Sequence, residues 1–266
     1  MRSRAGFLLA EALCALALAA LLAVACATAL RGVRRATSAA EARARAERGG
    51  REALQVITAL ARDADSVLVL GDTALELTIR IASGVVCARD LLSVTLPPAE
   101  VAGGAALVVR AQPVEAGDQL SVLLRDSLAG ARWVRAPIDS VSERSGETPC
   151  GSSGGFVDAA DAGAGRLRLV PRSLSVGVGA GAAVRVGRRG RLVLYNAGRG
   201  EWMLGWRRCR VGVCGVVQPV AGPLRTPAAG GLRIEDAGAG ALRVRVRVPG
   251  VAGEMEALVT RSDVGR

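Results

Sequence analysis

Glu11 is the one carboxylate in the 24 residues from Phe7 to Leu30, a run in which Thr28 is the only other polar side chain. An acid at bilayer depth costs about 2.5–3.5 kcal/mol on insertion scales, and such residues normally mark a partner. The partner it calls for is a positive charge, and none lies within the run. The chemistry offered here is therefore charge pairing between chains rather than catalysis.

Cysteine and arginine are the other residues whose spacing carries chemical meaning. Cys87, Cys150, Cys209 and Cys214 lie outside the apolar run, and on an exported domain four thiols allow three pairings. Cys209 and Cys214 are close enough to staple a hairpin, which leaves Cys87 with Cys150. A zinc site from all four thiolates is the rival, but it lacks paired C-x2-C knuckles. Cys14 and Cys26 read as small apolar residues of a helix. Arg243, Arg245 and Arg247 alternate opposite Leu242, Val244, Val246 and Val248. Two further clusters, Arg185/Arg188/Arg189/Arg191 and Arg207/Arg208/Arg210, lie near Trp202 and Trp206, which are able to stack on bases. DNA contact through these strands would be nonspecific and salt-sensitive. A solvated arginine face gives the same pattern, and the absence of Lys and of any binding motif favours it.

The 35 basic residues are all arginine and stand against 24 acids, a net charge of +11. An all-arginine set is also what a GC-rich coding sequence produces. With neither His nor Lys, Ser-His and Cys-His nucleophile pairs, imidazole metal ligands, a phosphate-loop lysine, Schiff bases and a Ser-Lys dyad are excluded. Gly177-Val178-Gly179-Ala180-Gly181 reads as a turn between strands rather than a dinucleotide loop. The pairs Asp63/Asp65 and Asp158/Asp161 sit in polar segments that require no catalytic role. The expectation is a non-enzyme with no cofactor and no metal.

The elements that position these residues follow from periodicity. A spanning helix needs about 20 apolar residues, so Phe7–Leu30 is long enough. Residues 36–53 are rich in Ala, Arg and Glu, and Leu54, Ile57, Leu60, Ala61, Ala64, Val67 and Leu68 then recur at helical spacing. The helix is expected to run from Phe7 to about Asp65, roughly 90 Å at 1.5 Å per residue, with a kink or local melting at Gly49-Gly50. From Val67 the period becomes two. Leu75, Leu77, Ile79 and Ile81 alternate with Glu76, Thr78 and Arg80 as in a half-buried strand. Further strands are expected from Val85 to Thr260, including separate ones at 183–186 and 191–195 joined by a Gly187-Arg188-Arg189-Gly190 turn, and one at 211–217. A second turn is expected at 196–200. Asp161-Ala162-Gly163-Ala164-Gly165 and Asp236-Ala237-Gly238-Ala239-Gly240 read as repeated turn chemistry, with calcium binding as an alternative. Ser140–Gly165 reads as a long surface loop. The fold class is α+β, a long N-terminal helix packed on an antiparallel sheet.

The N-terminal segment resembles the type III signal of type IV pilins and type II secretion pseudopilins. Arg2 and Arg4 match the basic leader, Gly6 the cleavage position, Phe7 the methylated terminus, and Glu11 the acid at the fifth mature position. The resemblance covers about thirty residues. It implies a leader (1–6), a transmembrane helix (7–30), its extension (31–66) and a strand-rich extracytoplasmic domain (67–266). It further implies an inner-membrane prepilin peptidase and other pilin or pseudopilin subunits as partners. The size and strand-rich second half look like the J/W-type minor subunits. Three other readings of the run compete: a secretory signal cut near Ala23, Ala25 and Ala27, a lipoprotein signal ending at Cys26, and a plain anchor.

Overall fold

The computed structural model describes residues 4–100, 108–126, 130–144, 164–173, 177–210 and 212–260. Helix α1 (Arg4–Asp63) is continuous over 60 residues. Side chains 10–45 are all exposed, whereas Ala46, Ala53, Ile57 and Ala61 recur at helical spacing and are buried. The helix thus has a bare half and a packed half.

The expected break at Gly49-Gly50 does not occur. A Cβ on Gly49 would overlap the carbonyl oxygen of Gly222, and one on Gly50 would overlap the Met255 side chain. The pair lets the helix backbone approach the sheets, and burial of the neighbouring face offsets the poor helix propensity of glycine. The helix also ends earlier than its pattern suggests. Ala64, Val67 and Leu68 belong to strand β1 (Ala64–Val69), where Val67 faces Leu77 across an antiparallel ladder.

The chain continues through β2 (Ala74–Val85), β3 (Ala88–Arg89), β4 (Val94–Leu96), β5 (Val108–Arg110), β6 (Gln119–Asp126), β7 (Gly130–Arg144) and β8 (Arg166–Pro171). It then forms β9 (Ala183–Gly198), β10 (Glu201–Arg210), β11 (Val213–Cys214), β12 (Gln218–Leu224), β13 (Leu232–Gly238), β14 (Ala241–Val246) and β15 (Met255–Thr260). Among the described residues twelve strands make one antiparallel sheet, ordered β1-β2-β9-β6-β7-β8-β4-β3, with β10, β11, β12 and β5 branching from it. A second sheet has the order β13-β14-β15. The architecture is α+β, as the periodicities imply.

Several expected elements are corrected. Residues 183–198 are one strand, not a hairpin around Gly187–Gly190. Along one edge β9 pairs with β2; along the other it pairs with β6 at 184–187 and with β10 from Gly190 onward. The two glycines sit where the neighbour changes. A Cβ on Gly187 would overlap Thr78, and one on Gly190 would overlap the Trp206 ring. Strand β7 runs to Arg144, into the expected loop, and its last residues pair with β8; residues 145–163 lie outside the described set. The expected strand at 211–217 shrinks to β11, while β12 carries no alternating signal because it contains Pro219 and Pro223. It pairs only with β10, an edge position that tolerates proline. The turns at 198–201 and 238–241 are present, each with two consecutive positive-φ residues at its centre: Arg199-Gly200 and Ala239-Gly240. Such turns match the right-handed twist of the strands they join.

Two cores result. One joins α1 to the first half of β2, the second half of β9, β10, β12 and the three-stranded sheet. The other joins the far halves of β2 and β9 to β4–β8 and contains no helix residue. Strands β2 and β9 belong to both and tie the lobes together. At the outer end of the large sheet, the Asp90–Ser93 turn leaves Leu91 and Leu92 91% and 71% exposed.

Candidate anchoring and assembly site

The helix surface from Ala10 to Leu30 is apolar and uncovered by any part of the chain. This is a helix long and apolar enough to cross a membrane. Gly6 and Phe7 fall in its first turns. Glu11 is exposed on this surface and forms no ion pair among the described residues. Arg31 is the first arginine after it, about 30 Å away along the axis. Within the apolar run itself there is no cation to pair with Glu11. Where the bare half meets the sheets, Ala39, Ala40, Arg43, Glu201, Leu224 and Pro249 line a cleft of about 760 Å³.

Cys209 and Cys214 form a disulfide across the β10–β11 pair, with a Cα separation of 4.0 Å. This removes two of the thiolates that a four-cysteine zinc site needs. Cys87 is also disulfide-bonded, while Cys150 lies outside the described residues. Cys14 and Cys26 are free and exposed on the helix. Asp236 accepts a hydrogen bond from the Gly238 amide at 2.9 Å, a turn role; Asp161 is outside the described residues. Among the described residues no three His, Cys, Asp or Glu side chains converge as metal ligands.

The arginine clusters are brought to carboxylates. Arg243 pairs with Glu256 at 3.2 Å, Arg245 with Glu235 at 3.2 Å and Glu256 at 3.3 Å, and Arg247 with Glu254 at 3.1 Å. Each of these three arginines thus meets a glutamate on the outer side of the small sheet, where Arg233, opposite Arg245, adds a fourth positive charge. Arg189 and Arg191 bind Glu76, and Arg80 and Arg185 bind Asp65. Arg185 also lies 4.2 Å over the Trp133 ring. Trp206 packs on the helix-side core.

A buried group escaped the sequence reading. Asp118 is 1% exposed and accepts from Arg188 Nε at 3.0 Å and from Arg208 at 3.2 Å. Glu115 joins it, taking Arg208 at 3.0 Å and Arg210. The hydrogen bond to Asp118 raises the Arg188 pKa despite the opposing effect of burial. For Glu76, burial alone would raise the pKa, but hydrogen bonds and charge from Arg191 and Arg189 overcome it and hold the carboxyl below its ordinary value. Asp90 is held well below the usual carboxylate range by the Ser93 hydroxyl first, then by the amides of Leu92 and Ser93 and by Arg168. Nothing in single-sequence spacing joins Asp118 to Arg188, 70 residues away. These networks are structural: each holds two or more strands or a turn in register.

No protein-family model, curated protein or solved structure matches the chain.

Proposed function

We propose that the chain is a minor pilin or pseudopilin subunit, cleaved after Gly6, methylated at Phe7 and incorporated into a type IV pilus or a secretion pseudopilus. One observation carries the reading: a lone exposed carboxylate, Glu11, on an uncovered membrane-length apolar helix that ends in a sheet domain. In the membrane the subunit is a single-pass protein with its sheets on the outer side. On extraction into a filament the apolar helices bundle, and Glu11 meets the Phe7 ammonium of the next subunit. The attraction of such a pair is offset by desolvation, so its main effect is a penalty on any register that leaves either charge alone. The pairing of Arg243, Arg245 and Arg247 with glutamates weighs against the alternative, an anchored DNA-binding protein.

Mass spectrometry of the mature N-terminus tests the reading. N-methyl-Phe7 is the expected terminus, whereas a lipidated Cys26 or an intact Met1 in cells with an active peptidase overturns it. Gly6→Val is expected to block processing, visible as loss of the mature band shift on a gel. Glu11→Val is expected to leave insertion intact and lower incorporation; normal filament assembly by that variant would refute the pairing role.

A further inference from the structure

The apolar run ends at Leu30, and Arg31, Arg34 and Arg35 follow at once. Residues spaced by three and four lie on one face of a helix, so the three guanidinium groups form a collar on one side of α1. All three are exposed and none has an ion pair among the described residues. The next carboxylate along the chain is Glu41, about 9 Å beyond Arg35 along the axis. The triad Arg243, Arg245 and Arg247 differs, since each of those arginines has a glutamate.

Depth selects the missing anion. The collar spans roughly 1.5–7.5 Å past the last apolar residue at 1.5 Å per residue. A headgroup layer occupies about 5–8 Å on each side of a 30 Å hydrocarbon core. With the run seated in the core, the guanidinium groups stand at the level of lipid phosphates. Guanidinium donates hydrogen bonds bidentately to phosphate and stays charged at every physiological pH.

We infer that Arg31, Arg34 and Arg35 form a binding collar for anionic phospholipid headgroups in the leaflet on the sheet-domain side. The inference rests on the membrane-spanning part of the proposed function and not on cleavage or assembly. The collar holds the subunit at a fixed depth, so Glu11 lies at a set level for its partner.

The test uses the full chain reconstituted in phosphatidylcholine vesicles with spin-labelled phosphatidylglycerol or spin-labelled phosphatidylcholine as reporters. Labelled phosphatidylglycerol is expected to associate with the helix more strongly, by about fivefold per engaged arginine at low salt. The preference is expected to shrink in high salt and to vanish in R31Q/R34Q/R35Q. The triple variant R243Q/R245Q/R247Q lowers net charge equally and is expected to keep the preference. Equal association of the two lipids with the parent chain overturns the inference, as does a preference that survives R31Q/R34Q/R35Q. Immobilised lipid without headgroup preference sinks the collar alone; no immobilised lipid of either kind sinks the spanning helix and the collar together.

Discussion

Removing the Asp118 carboxylate leaves Arg188 and Arg208 confronting each other beneath the surface with one shared acid, Glu115, at the rim. Breaking a buried pair from one side costs about 3–5 kcal/mol, because the remaining charge is uncompensated. Asp118→Ala is therefore expected to lower unfolding stability by about 3 kcal/mol at neutral pH, read from chemical denaturation of the full chain in detergent. A change below about 0.5 kcal/mol would place the network among inconsequential surface pairs. Acid should act through Asp90 and Glu76, whose folded pKa values lie below the ordinary 3.8 and 4.5. A depressed carboxylate contributes stability that is complete above its unfolded pKa and is lost as pH falls toward the folded one. The denaturation midpoint is thus expected to be flat from neutral pH to about 5 and to fall below about 4.5, with a smaller fall in Asp90→Asn. An equal midpoint at pH 7 and pH 3.5 would contradict this. Glu76 also shows where residue-level reading fails. Alternation places it on the solvent side of β2, yet Arg189 and Arg191 from the next strand cover it. That cover depends on a pairing between segments over a hundred residues apart.

Most helix and strand positions were legible because apolar period and turn chemistry agree in them. The 7–65 helix, the alternating segments at 75–81 and 242–248 and the turns near 199 and 239 all rest on local signals. Glycine misled the reading in opposite contexts for one reason. Gly49-Gly50 looked like a helix break and Gly187/Gly190 like a hairpin, but each is a point of close approach whose partner is remote in sequence. Substitution distinguishes the two roles by sign. If Gly49 only weakened the helix, Gly49→Ala would stabilise by about 1 kcal/mol. Because a methyl group there would overlap the Gly222 carbonyl, destabilisation of about 1–3 kcal/mol is expected instead, measured by thermal unfolding. Gly190→Ala is expected to behave likewise, since its Cβ would fall within the Trp206 ring.

At the scale of the whole molecule, α1 makes a bare shaft and a packed root. Between Leu30 and Ala46 it advances about 24 Å with every side chain from Arg31 to Arg45 exposed. An isolated helix of that length is marginal in water. Trypsin acting on the detergent-solubilised chain is expected to cut first between Arg31 and Arg45, releasing a fragment that begins near Ala46 and melts like the parent. Initial cleavage within β9 or β10 would contradict the packed-root description. The apolar helix and its carboxylate were readable from thirty residues; the two-lobed sheet was not, because strand order is set by long-range register. The same shaft has a mechanical consequence. Tension on the apolar end enters the folded lobes through the side chains from Ala46 to Ala61, seated chiefly on β12 and β15, and through the chain itself where α1 runs into β1. That contact is loaded in shear, and the distal lobe feels the load through β2, β9 and the ion pairs from Arg208 and Arg210 of β10 to Asp118 and Glu115.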